Sequence, residues 1–198
     1  MFPGIRVLDI DMRITGGTGR GRKLAQLKGQ GIRPTSDRVR EAVFNMLGQD
    51  LTGWIVLDLF AGTGAFGIDA ISRGASQAVF VDHSTQAIEL IKRNLFLCGF
   101  EQKALVVKAD LAADMDLGKH SALPRFFDAA FMDPPYRSGL IPRTCRLLTT
   151  GGVLKPKAVV IAETAKNESL PDVIEGLTAA QEKTYGDTKI SIFFYEDE

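Results

Sequence analysis

The chain has 198 residues, 45% hydrophobic and 24% charged, with 24 basic and 24 acidic side chains in balance. That length suits one domain with a sizeable core. No apolar run reaches the roughly 18 residues that cross a bilayer, and the N-terminus MFPGIRVLDID carries acids where a secretory signal needs an apolar centre. The expectation is a cytoplasmic protein with no membrane partner. Cys98 and Cys145 form no CxxC pair, and His83 and His120 stand alone, so no metal site is expected.

Neutrality hides an asymmetry. Between Met12 and Arg40 stand eight basic residues: Arg13, Arg20, Arg22, Lys23, Lys28, Arg33, Arg38 and Arg40. Only Asp37 opposes them, so the segment carries +7 and the remainder −7. A basic arm on an acidic body points to a polyanionic partner such as nucleic acid. The alternative is a solvated, flexible terminus.

Residues 12–15 and 23–27 read as short extended pieces joined by the glycine-rich GGTGRG. Thr35, Ser36 and Asp37 offer helix N-caps, and Val39, Val43, Met46 and Leu47 follow at helical spacing, predicting a helix over about 36–48. The pattern then alternates. Strands are expected at 54–60, 78–82, 104–109, 127–132 and 158–163, with helices at 65–73, 85–97 and about 139–149. Residues 179–185 and 189–195 read as a hairpin turned at Gly186-Asp187. Alternating strands and helices imply an α/β fold: a mostly parallel sheet covered on both faces, with the terminal hairpin as an antiparallel edge.

In such a sheet, ligands bind at the carboxyl ends of the strands. Four ends carry suggestive residues. The first is DLFAGTG, Asp58 to Gly64, where Gly62 and Gly64 let the backbone turn tightly and approach a ligand. It is neither GxGxxG nor a P-loop, so a pyrophosphate is not the obvious guest. The second is Asp82, 24 residues beyond Asp58 and near the spacing at which an acid meets ribose hydroxyls. The third is Asp110, an acid suited to an adenine amino group. For each acid the competing role is a helix N-cap. The fourth is FMDPPYRS. Neither proline donates a backbone hydrogen bond, and Pro134 pushes Asp133 toward an extended conformation. The result is a stiff corner presenting a carboxylate and carbonyls.

Together these positions resemble the S-adenosylmethionine-dependent methyltransferases with a seven-stranded Rossmann-like sheet. DLFAGTG is similar to their cofactor loop, which implicates Asp58, Phe60, Ala61, Gly62, Thr63 and Gly64. Asp82 and Asp110 stand where their ribose-side and adenine-side acids stand. DPPY resembles the [DN]PP[YF] tetrapeptide of the branch that methylates exocyclic or amide nitrogens. The blocks MRITGGTGRGRKL, RPTSDRVREAVFNML, DLFAGTGAFGIDAISRGA, DPPY and KTYGDTKISIFFY resemble those of the RsmD-type methyltransferases, over nearly everything from Met12 to Tyr195.

The resemblance implies transfer of a methyl group from S-adenosylmethionine to a guanine N2 amine of bacterial 16S ribosomal RNA. It also implies a monomer without metal, acting within the small ribosomal subunit. Asp133 and the Pro134 carbonyl would accept the amine's two N–H groups, Pro135 would stiffen the corner, and Tyr136 would stack on the base. Arg13, Arg20, Arg22, Lys23, Arg33 and Arg38 would meet RNA phosphates. The implied organisation is an extension or alternative start at 1–11, a basic arm with the first helix at 12–50, and the methyltransferase domain at 51–198. The competing readings are a DNA adenine-N6 or cytosine-N4 methyltransferase, a protein glutamine methyltransferase, and a non-catalytic RNA-binding assembly factor.

Overall fold

The computed structural model describes residues 7–8, 12–27, 36–113 and 117–196. Its strands are β1 (Val7–Leu8), β2 (Gln26–Leu27), β3 (Ile55–Leu59), β4 (Gln77–Asp82), β5 (Ala104–Lys108), β6 (Phe127–Met132), β7 (Leu154–Ala165), β8 (Val173–Ile174), β9 (Leu177–Tyr185) and β10 (Thr188–Tyr195). Its helices are α1 (Asp37–Leu47), α2 (Ala65–Ser72), α3 (Thr85–Cys98) and α4 (Leu140–Thr150). The main sheet has the order β5-β4-β3-β6-β7-β10-β9-β8. Strands β3 to β7 are parallel, and β10 runs antiparallel between β7 and β9. The expected α/β fold and terminal hairpin are present. The sheet has eight strands rather than the expected seven, because the two-residue β8 adds an outer edge to β9. Two residues are too short to leave a period in sequence.

The sheet separates two apolar layers. On one face Phe80, Phe131, Ile161 and Ile192 meet α1, α2, α3 and the N-terminal segment. On the other, Leu57, Val79, Val160 and Phe193 meet α4 and the turn residues Leu111 and Leu117. Strands covered on both faces read as continuous apolar runs, which is why β3, β4 and β6 are legible in sequence.

Residues 12–25 form a hairpin-like arm. The Ile14 N–H bonds the Arg22 carbonyl at 3.0 Å and the Leu24 N–H bonds the Met12 carbonyl at 2.9 Å. Met12, Ile14, Leu24 and Ala25 are buried, so the arm lies on the body rather than in solvent. Asp69 of α2 fixes it there. This fully buried carboxylate accepts the Thr15 N–H at 2.7 Å and the Thr15 hydroxyl at 3.1 Å. It also takes Arg40 Nε of α1 and Arg73 Nη1, each at 2.9 Å. Arg40 further donates to the Arg13 carbonyl and to Asp37. The Arg73 guanidinium lies 4.1 Å over the Phe44 ring, and Phe44 packs on Phe66 and Phe131. Arg40 therefore does not belong with the charges expected to face a polyanion, because its side chain is fully buried and paired.

Removing one partner of a buried ion pair leaves uncompensated charge and costs about 3–5 kcal/mol. Asp69→Ala is expected to lose about that much stability, read as a lower urea midpoint. Asp69→Asn keeps the shape and one acceptor. It is expected to recover only a minor part, because the charge opposing two guanidiniums is still missing.

Candidate functional site

The carboxyl ends of β3, β4, β5 and β6 converge, and backbone bonds extend the ladders past the last paired residues. The Ala61 N–H bonds the Val81 carbonyl at 3.1 Å, Ala109 N–H the Asp82 carbonyl at 3.0 Å, and Asp133 N–H the Leu59 carbonyl at 3.5 Å. The cofactor-type turn, Asp82, the start of the Asp110 turn and the DPPY corner therefore share one rim of the sheet.

The turn itself is Phe60 to Gly64. Phe60 takes a positive φ of 58°, uncommon for a side chain of its size. Gly64 has φ 76° and caps α2 without a side chain. An added Cβ would press on Ile91 and Phe80 at 3.3 Å. Asp58 supplies the missing cap from below: its Oδ2 accepts the Gly67 N–H at 2.9 Å. This satisfies a first-turn donor that Gly64 cannot reach. Asp58 is thus turned into the helix end, and burial, followed by the nearby Asp82 charge, pushes its carboxyl up to about 7.

Asp82 is 8% exposed. Its Oδ2 accepts the Gly62 N–H at 2.9 Å and its Oδ1 accepts the Ser84 N–H at 2.8 Å. The N-cap of α3 is Ser84, whose Oγ accepts from Ala87 N–H. The helix-cap role is therefore filled by a neighbour, and Asp82 instead braces the turn across β3 and β4. Each carboxylate oxygen keeps a lone pair for a further donor. Asp110 is exposed, and its Oδ1 accepts the Ala112 N–H at 2.9 Å, closing a turn rather than starting a helix.

In the corner, Asp133 is half-buried, Pro134 buried and Pro135 exposed. Tyr136 keeps 42% of its surface exposed, yet its hydroxyl lies 2.8 Å from Glu163 Oε1 and 2.9 Å from Thr188 Oγ1. Burial of the hydroxyl, helped by the Glu163 charge, pushes the phenol up to about 12. Tyr136 therefore stays a neutral donor while its ring is held still. Glu163 is buried near the end of β7. Sequence reasoning missed it, and a lone acid in a strand near its carboxyl end was the only signal.

The basic residues do not converge on this rim as one patch. Met12 Sδ lies 3.6 Å from the Thr63 hydroxyl, so the Met12–Arg13 end of the arm adjoins the turn. The arm's tip lies at the far end of α2, where the Gly19 N–H bonds Ser72 Oγ at 2.8 Å. Eight helical residues separate the two ends by about 12 Å. Arg13, Lys23 and Arg38 belong to the near end and Arg20 and Arg22 to the far end, all exposed. Arg22 Nη1 also bonds the Cys98 carbonyl at the end of α3. Arg33 lies outside the described residues, as do Lys28, Pro34 and Thr35. Among the described residues no cluster of three or more His, Cys, Asp or Glu could hold a metal ion, and no helix is long and apolar enough to cross a membrane. A cavity of about 400 Å³ lined by Leu117, His120 and Gly152 lies by the amino end of β6, away from this rim.

The family model described as conserved hypothetical protein 95 matches residues 12–194. The chain belongs to that family. Ribosomal RNA small subunit methyltransferase D of Haemophilus influenzae is 36% identical over 178 residues, spanning 89% of this chain and 90% of its own length. The protein of the same name from Escherichia coli is 33% identical over 185 residues, 92% of this chain and 89% of its own. The solved Escherichia coli structure of yhhF superposes with a TM-score of 0.80 at 32% identity, over 94% of this chain and 99% of that one. The RsmD-type resemblance carried by the motifs is borne out, and the fold is that of the Rossmann-like methyltransferases.

In this RsmD-type chain the buried Asp58 gives a pH signature. Its folded pKa is raised, so the native state holds the proton more tightly than the unfolded chain. Stability from this group is then greatest near pH 4 and falls as pH rises toward 7. Asp58→Asn keeps an acceptor for the Gly67 N–H and removes the titration. Urea midpoints measured at pH 5 and pH 7.5 are expected to lie closer together in Asp58→Asn than in the wild type. Equal pH dependence in both would place the charge penalty elsewhere.

Proposed function

We propose that this protein is an S-adenosylmethionine-dependent methyltransferase acting on the exocyclic N2 amine of a guanine in 16S ribosomal RNA. The observation that carries the reading is the adjacency of the Asp58–Gly64 turn and the Asp133–Tyr136 corner on neighbouring strands β3 and β6. The names of relatives that match along most of the chain support the ribosomal substrate. The small-subunit context and a cytoplasmic location follow from that substrate.

The residues present fit the cofactor. Asp82 is an acceptor for vicinal ribose hydroxyls, already oriented by two backbone N–H groups. The turn from Phe60 to Gly64, with Phe60, Ala61, Gly62 and Thr63 on its rim, brings backbone rather than bulk to the ligand. Asp110, the next acid along the rim, is assigned to the adenine side. When bound, the cofactor supplies a methyl group activated by a positively charged sulfur.

The rest of the task falls to the corner. Asp133 accepts one N–H of the target amine and the Pro134 carbonyl accepts the other, holding the nitrogen in line for attack. The same two acceptors favour the positive charge that grows on that nitrogen. Pro135 keeps the corner stiff. Tyr136, pinned through its hydroxyl, offers a fixed ring face to the unstacked base. A phenol held near 12 does not take the amine's proton, which leaves Asp133 or water for that role. The arm's exposed arginines, with Lys23, grip phosphates around the base.

Asp133→Ala is expected to abolish transfer of labelled methyl to small subunits lacking the modification, while S-adenosylhomocysteine affinity changes by no more than a few fold. A proportional loss of cofactor affinity would overturn the role of Asp133. Identification of the methylated base discriminates the DNA and non-catalytic readings in the same assay. Arg20 and Arg38 mark the two ends of the basic surface. Changing both to glutamine is expected to lower the log–log salt slope of RNA binding by up to about 0.7–0.9 for each phosphate no longer neutralised. Unchanged affinity at low and high salt would mean that neither touches phosphate.

A further inference from the structure

One side chain, Asn94 of α3, bonds both the cofactor turn and the N-terminal arm. It is fully buried. Its Oδ1 accepts the Ala25 N–H at 2.7 Å, and its Nδ2 donates to the Ala25 carbonyl at 3.1 Å and to the Thr63 carbonyl at 2.9 Å. Ala25 lies in the second extended piece of the arm, just before β2, and Thr63 lies inside the turn assigned to the cofactor. The Thr63 hydroxyl meets Met12 Sδ from the arm's first extended piece, and Met12 is bonded through its carbonyl to Leu24. The arm therefore touches the turn through both of its extended pieces.

Only an amide fits this position. One acceptor must face an N–H and two donors must face carbonyls, which is the inventory of asparagine at this reach. An apolar residue would leave three backbone groups without partners in a buried site. An aspartate would set a negative charge against two carbonyl oxygens. α3 packs here regardless, since Ile91, Leu95 and Cys98 already bury its face. Asn94 thus adds direction to a contact that hydrophobic packing alone would leave without one.

We propose that Asn94 is a positioning residue for the cofactor turn, making the arm a structural part of the S-adenosylmethionine site as well as an RNA-binding element. This rests on the cofactor reading above. The bonds from Asn94 hold the Thr63 carbonyl and so the direction of the Gly62 and Gly64 backbone. Asp82 holds the other side of the same turn through the Gly62 N–H. The turn is clamped between an acid on β4 and an amide on α3, and the amide's remaining bonds go to the arm.

The test is calorimetry with S-adenosylhomocysteine and methyl-transfer kinetics on wild type, Asn94→Ala and Asn94→Asp. The Kd for S-adenosylhomocysteine and the KM for S-adenosylmethionine are expected to rise at least about tenfold in Asn94→Ala, since buried backbone groups lose their partners. Asn94→Asp should do no better. At saturating cofactor, kcat is expected to stay within a few fold, which general unfolding would not allow. A second measurement needs no variant. Amide hydrogen exchange on the wild type is expected to show Ala25 N–H gaining protection with S-adenosylhomocysteine, although Ala25 is not assigned to the pocket. Folded Asn94 variants that bind like wild type, or protection confined to residues 61–64, would overturn the inference. Wild-type protein that binds no S-adenosylhomocysteine would instead overturn the cofactor reading, and this inference with it.

Discussion

The fold depends on a single buried carboxylate, Asp69. Hydrophobic burial brings α1, α2 and the arm onto one face of the sheet, but it is non-directional. Asp69 supplies the direction. Its two oxygens gather a guanidinium from α1, a guanidinium from the end of α2, and the N–H and hydroxyl of Thr15 from the arm. With Asp37 as the second acid beside Arg40, two positive and two negative charges close on themselves. A buried pair of this kind breaks roughly even against well-packed apolar residues in stability. What it contributes here is registry, since only one placement of three segments satisfies every partner.

The rim of the sheet follows the same rule on a smaller scale. Past the first loop residues, which still bond to a neighbouring strand, the loops run out of ladder partners, and unpaired backbone groups are costly. Side chains from below take their place. Asp58 caps α2 through the Gly67 N–H, Asp82 takes the Gly62 N–H, Asn94 takes the Thr63 carbonyl, and Glu163 takes the Tyr136 hydroxyl. Each holds a group of the rim in place, and the Asp82 oxygens keep lone pairs for a ligand as well. The loops are thereby oriented before anything binds, which is what positioning of reactive groups requires.

The parts of this architecture that recur at short range are legible in sequence. Apolar runs mark β3, β4 and β6, and the glycines and prolines mark the two turns that flank the rim. Strand β7 reads in sequence as starting at 158, because Lys155, Pro156 and Lys157 look like loop. In the fold they form an irregularity in the strand where its register against β6 shifts, with Lys155 paired to Asp128. The bonds that fix the arm are not legible, because they join residues 54 to 69 positions apart, and those that fix the loops still span 9 to 31. Arg40 and Arg38 carry the same charge two residues apart, yet one is sealed in the core and the other is exposed. Composition cannot separate them. Helical phase does so only once the opposite face is known to hold Asp69.

The division of the basic segment follows from the same packing. Its apolar residues Met12, Ile14 and Leu24 point into the body, while Arg13 and Lys23 beside them point out. An extended chain puts successive side chains on opposite faces, so burying one set exposes the other. Asp69, Ser72 and Asn94 then hold the backbone of that chain at three levels along α2 and α3. The exposed cations are consequently fixed relative to the Asp133–Tyr136 corner by the core itself. A solvated terminus of equal charge would attract a polyanion without orienting it. Here the charge of the arm and the geometry of the rim are set by one network, and a change that loosens one must disturb the other.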